Sequence, residues 1–374
     1  MKRRLQVLLA VFLSAVLAFA LVGCGNSSGG SGNRLRFMTG GESGTYYAYG
    51  SVLAQYASNG SYGINITALS SNGSQANLQA LQDSETDIAF CQSDITASAY
   101  QGTNLFADSA YQDFGVVAAL YQEQLQIVTC DPNIKTIDDL RGKTVSVGAA
   151  SSGVFFNASD VLSVYGIDIN NDLHAVYQDF GDSADSLKDN KIDAAFIVSG
   201  IPTTAITDLT TTKTTYLLSI DDEHMDKLLA SSPYYKKAVI PADTYGTESD
   251  VTTVSVSALI LANNSVPEDA VYQFTKSLFD GAEQNAAAHA KYAELNLQDA
   301  TSYTSVPYHP GAAKYYAENG IEVAGYQGDA ADADEQADAS DEDADANGTA
   351  SAADADAADA GASDKAADGT AAAN

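Results

Sequence analysis

Through the body of the chain, short runs rich in β-branched and aromatic residues end in polar turns that pass at once into helical spacing. This alternation builds parallel α/β sheets and excludes all-helical and sandwich folds. LRFMT (Leu35 to Thr39) precedes GGESG and then TYYAYGSVLAQYAS, where Tyr46, Tyr49, Val52, Leu53 and Tyr56 share one helical face. GINITAL leads through SSNGS into QANLQALQ, and DIAFCQ (Asp87 to Gln92) leads into SDITASAY. FGVVAALY and QLQIVTC read as further strands, the second ending at a crossing point, Asp131-Pro132. A second set of units follows: LRGKTVSVGA before AASSG and the helix FFNASDVLSVYGI, then the strand LHAVYQ, the helix SADSLKDN and the strand KIDAAFIVSG. VTTVSVSALILANN is long enough to cross between two lobes, and the stretch from Val266 to Leu295 is helical with Pro267 near its start.

The two ends have other compositions. Lys2, Arg3 and Arg4 precede an apolar run from Leu5 to Val22, the pattern of a secretory signal, although the run is also of marginal length for a membrane anchor. Leu21-Val22-Gly23-Cys24 resembles a bacterial lipobox, which implies cleavage before Cys24 and lipidation of that cysteine. Gly25 to Asn33 is a Gly/Ser-rich tether. From about Gly328 the sequence is almost wholly Ala, Asp, Glu, Gly, Ser and Thr, with fourteen acidic residues between Asp329 and Asp368 against Lys365 alone. Such a tail is expected to be disordered. It carries 13 of the 31 net negative charges, and the body stays acidic, so nucleic acid is not an expected partner. Cys91 and Cys130 lie in apolar runs where free buried thiols are the ordinary outcome, while export leaves a disulfide open.

Chemistry in a parallel sheet gathers beyond the carboxyl ends of its strands, where helix-start amides are unpaired. Five polar turns lie at such ends: GGESGTYY, SSNGSQAN, QSDITAS, AASSGVF and VSGIP. Singly each is an ordinary set of helix caps; together, on two sheets, they suggest a cleft. They are poor material for catalysis or for a metal. His174, His224, His289 and His309 all fall outside them, and no HExxH, Walker or GxGxxG pattern occurs. Gly41 to Thr45 only approximates a nucleophile elbow. Lys and Arg are absent from all five turns, the nearest being Arg36 and Lys143, so backbone amides and hydroxyls are expected to hold any anion.

These residues resemble the TAXI solute receptors of tripartite ATP-independent periplasmic (TRAP) transporters. The likeness runs through TGGESGTYYAYGSVLA, SNGSQANLQALQDSETDIAFCQSD, GKTVSVGAASSG, SADSLKDNKIDAAFIVSGIP, SPYYKKAVIPADTYG and VPYHPGAAKYYAENG. It departs where Ser71-Asn72 and Ser151-Ser152-Gly153-Val154 stand for the family's Thr-Gly and Gly-Ser-Gly-Thr. The resemblance implies an α/β, two-lobed, periplasmic-binding-protein-like (type II) fold with a hinge-bounded cleft. On this reading residues 1–23 are the signal, 24–33 the tether, 34–130 and 253–327 the first lobe, 131–252 the second and 328–374 the tail. Hinge positions are expected at Gln126 to Asp131 and Val254 to Asn263. It also implies ligand contacts at Ser43, Thr45, Tyr46 and Tyr47, at Ser74 and Asn77, at Gln92, Ser93 and Asp94, and at Ser151, Ser152 and Gly200. His309-Pro310-Gly311-Ala312 is read as structural. The implied protein is a non-enzymatic monomer without cofactor or metal, tied to the membrane by its N-terminal lipid. It would pass a small polar solute, a carboxylate or an amino acid, to TRAP permease subunits. A receptor for an ATP-driven importer and a surface adhesin or antigen are the alternatives.

Overall fold

The computed structural model describes residues 34–107 and 109–325. The signal, Cys24, the tether and the acidic tail lie outside these residues. Strand β1 (Arg34–Met38) pairs in parallel with β2 (Asn65–Leu69) and β3 (Ile88–Gln92). Helices α1 (Thr45–Asn59), α2 (Ser74–Gln82) and α3 (Ser93–Gln101) follow these strands in turn. β3 is buried throughout, as a strand covered on both faces must be.

The two apolar runs read as separate strands form one, β4 (Phe114–Thr129). The polar triplet Gln122-Glu123-Gln124 between them does not end the strand, because there it leaves one hydrophobic core and enters another. Beyond it come β5 (Thr144–Ser146), α4 (Gly153–Val164), β6 (His174–Val176), α5 (Phe180–Lys188), β7 (Ala194–Ser199) and α6 (Thr204–Thr210). β8 (Tyr216–Leu218), α7 (Asp222–Ser231) and β9 (Lys236–Ile240) lead to β10 (Val251–Asn263). α8 (Glu268–Asp280), α9 (Ala282–Ala286), α10 (Leu297–Ala300) and α11 (Pro310–Glu318) complete the described chain. The expected long C-terminal helix breaks at Gly281, where a Cβ would stand 2.7 Å from the Tyr56 ring. Its absence lets α1 pack against the turn.

The sheet order is β2-β1-β3-β10-β4-β7-β5-β6, with β8 added to β4 and β9 to β10. Two cores divide it. Phe37, Tyr49, Phe90, Phe114, Phe274 and Tyr316 belong to the first, and Val145, Val161, Leu162, Phe196 and Leu228 to the second. This is the two-lobed α/β fold that was expected, with β4 and β10 running antiparallel through both lobes. The change of lobe falls earlier on β4 than the expected hinge at Gln126 to Asp131, since Leu125 and Ile127 already pack in the second core. On β10, Val254 and Val256 belong to the second core and Ala258 to the first, so that crossing lies at Ser257, inside the expected hinge Val254 to Asn263 and four residues beyond the lobe boundary expected at 253. The β4–β10 register shifts beside Ser257, as expected of a bulge that bends and twists a strand pair. Cys91 and Cys130 are both free thiols, Cys91 inside the first core and Cys130 beside a smaller cluster on the second lobe, so no disulfide joins them.

Candidate ligand-binding cleft

The carboxyl ends of strands from both lobes converge on one partly open cavity of about 50 Å³. Gly40 and Gly41 beyond β1, Ser71 to Ser74 beyond β2 and Gln92 at the end of β3 form one wall. Ala149, Ser152 and Gly153 beyond β5, Asp179 and Phe180 beyond β6, and Val198 and Ser199 on β7 form the other. Glu123, on the crossing strand β4, lies between them. The first residues of α1, α2, α4 and α5 line the space, so four positive dipole ends meet there, although in each helix one first-turn amide is already bonded within the protein. No Lys, Arg, His or Cys lines it among the described residues.

The lobes are closed on each other by direct hydrogen bonds. At the start of α1 the Thr45 amide donates to Ser199 Oγ at 3.3 Å, Ser199 Oγ donates to Thr45 Oγ1 at 2.9 Å, and Thr45 Oγ1 donates to the Gly200 carbonyl at 3.2 Å. At the start of α3, Gln92 Nε2 donates to Asn157 Oδ1 at 2.6 Å, and Asn157 Nδ2 donates to Asp94 Oδ2 at 2.7 Å. The Ala76 amide reaches the Ser151 carbonyl at 2.9 Å. Gly153 allows the fit, because a Cβ there would coincide with Gln92 Oε1.

Electrostatically the cavity has one dominant feature. Glu123 is 2% exposed and accepts a 2.6 Å hydrogen bond from the Tyr46 hydroxyl. Burial pushes its carboxyl up to about 8, against the lowering effect of Tyr46 and of the more distant Lys291. Asp94 is likewise raised by burial, to about 6, with Asn157 holding it down. The acidic wall residue Asp179 caps α5 by accepting from the Asp182 amide at 2.8 Å.

Of the residues assigned from the sequence, Thr45, Tyr46, Ser74, Gln92 and Ser152 line the cavity. The others stand behind it. Asn77 Nδ2 donates to the carbonyls of Thr39 and Phe90, tying α2 to β1 and β3. Ser93 Oγ accepts from the Ser257 amide at the lobe crossing, and Asp94 faces Asn157. The Ser43 and Ser151 carbonyls accept amides from the other lobe, and the Gly200 carbonyl accepts from Thr45. Tyr47 is half-buried outside the cavity. Glu123, Asp179, Phe180 and Ser199 were missed. Glu123 was legible only as a lone acid between two apolar runs, and Asp179 as the cap of a helix read as starting later. His309 is buried and caps α11 through Nδ1, which accepts from the Gly311 amide.

A protein-family model, that of the NMT1-like family, matches residues 37–320. Among solved structures the chain is similar to the periplasmic aliphatic sulphonate binding protein SsuA from Escherichia coli, at 15% identity over 77% of this chain and 90% of that one, with a TM-score of 0.40. It is also similar to the GluR0 ligand-binding core from Nostoc punctiforme, in complex with L-glutamate, at 16% identity, 69% and 97% coverage and a TM-score of 0.42. PhnD1 from Prochlorococcus marinus, in complex with methylphosphonate, matches at 9% identity, 70% and 88% coverage and a TM-score of 0.46.

Proposed function

That the chain belongs to the NMT1-like family is the premise from which we propose that it is an extracytoplasmic solute receptor, closing two lobes over a small polar molecule. The observation that carries this reading is the cavity itself, walled by strand ends and helix starts of both lobes and shut by hydrogen bonds between them. The volume suits a solute of about amino-acid size, and the helix starts suit a carboxylate on it. Its delivery partner, on the motif resemblance, is a TRAP-type permease, with Cys24 as the lipid anchor and the receptor acting as a monomer.

A thermal-shift screen of amino acids and of mono- and dicarboxylates tests the proposal. A true ligand at 100 times its dissociation constant stabilises by about 2.7 kcal/mol. No shift with any member, together with turnover of one of them, would replace the receptor by an enzyme. Vesicles carrying the permease should take up the ligand only when the receptor is present.

A further inference from the structure

Glu123 has only one hydrogen-bond partner among the described residues, the Tyr46 hydroxyl on one carboxylate oxygen. The nearest cation, Lys291, bonds Glu294 at 2.6 Å and stands 5.8 Å from the Tyr121 ring. Asp179, the other acid of the wall, is occupied as a helix cap. A buried carboxyl at a cavity wall without a cation must hold a proton or await a positive charge. A solute bearing only negative charge would meet helix starts on most sides and a second acid on the remaining one.

Resting on the receptor reading, we propose that Glu123 is the cation-binding residue of the cleft, and that the solute carries a protonated amine beside its carboxylate. The cleft would thereby select amino acids over the acids that lack the amine. The helix starts of α1, α2, α4 and α5 take the carboxylate, and Glu123 takes the ammonium. In an α-amino acid both groups hang from one carbon, which suits the small volume. The protons balance simply. The carboxyl of Glu123, held up near 8 before binding, releases its proton to solvent, and the ammonium arrives already charged and pairs with the carboxylate left behind. The groups that face Glu123 and share its field are Tyr46, Cys91, Asp94, Tyr121, Asp179 and Lys291. Of these Asp94, also raised by burial, titrates nearest to it, at about 6.

The test is calorimetry on the whole receptor with the common amino acids, each paired with the acid lacking only its α-amino group. The titrations are run at pH 7 in two buffers of different ionisation enthalpy. An amino acid should bind at least about tenfold tighter than its deaminated partner, the range expected of a hydrogen-bonded charge pair. It should release close to one proton, a release that falls away above about pH 8 as the free Glu123 carboxyl, and at higher pH the free ligand's ammonium, lose their own protons. Glu123→Gln, isosteric and uncharged, should lose that preference and the proton release together. Should the deaminated acids bind equally tightly, or binding release no proton, the inference is overturned while the receptor reading stands; these wild-type measurements decide even if the variant fails to fold. Binding by neither series would overturn both.

Discussion

Single positions carry the sharpest consequences. A carboxyl raised from 4.5 in the unfolded chain to about 8 in the fold leaves the native state holding a proton that the unfolded state has lost. Its contribution to stability is therefore complete below about pH 4.5 and declines as pH rises through about 8. The melting-temperature advantage of Glu123→Gln over wild type should grow from pH 5 to pH 8 and level off above that, and a flat difference across the range would refute the buried acid. Gly153→Ala places a methyl on Gln92 Oε1, so it should weaken ligand binding by more than about tenfold while leaving the melt of the unliganded protein nearly unchanged. Arg36→Gln should leave affinity alone, because that guanidinium is held by Asp87 at 2.8 Å on the exposed side of β1. The helix-start hydroxyls were legible in the sequence because caps and anion sites use the same residue types at strand ends. Glu123 was not, since its meaning depends on two apolar runs being one strand that passes between cores.

At the level of elements, α3 and α4 hold the lobes together through one side chain. Asn157→Ala would leave the Gln92 amide and the Asp94 carboxylate without their partners across the cleft. The closed form should lose about 1 to 3 kcal/mol, read as a roughly 5- to 150-fold weaker affinity in calorimetry. An unchanged affinity would mean that this contact does not stabilise closure. The major strands and helices were readable because their periodicity is long and regular. β8 (Tyr216–Leu218) and β9 (Lys236–Ile240) were not; the first is three residues long, the second has mostly exposed side chains, and both owe their existence to pairing with β4 and β10. The hinge on β4 was misplaced by a few residues for a related reason, since an apolar strand reads alike whichever core it enters; the crossing at Ser257 falls within the hinge expected on β10.

For the molecule as a whole, closure should appear as a smaller radius of gyration on ligand addition, and scattering that stayed the same with a confirmed ligand would count against lobe motion. One feature of the sheet also bears on how the chain comes into being. β10 separates β3 from β4, so the hydrogen-bonding edges that Ile88–Gln92 and Phe114–Thr129 turn towards each other stay vacant until Val251–Asn263 has been made. During synthesis and any export, the most buried strand of the first lobe, paired on one side with β1, thus keeps its other edge open and adhesive, while most of the second lobe's strands and helices are already complete. The order of assembly is therefore inverted relative to the order of translation: the lobe that begins first finishes last, and the late arrival of one strand sets the interval in which the nascent chain is open to mispairing.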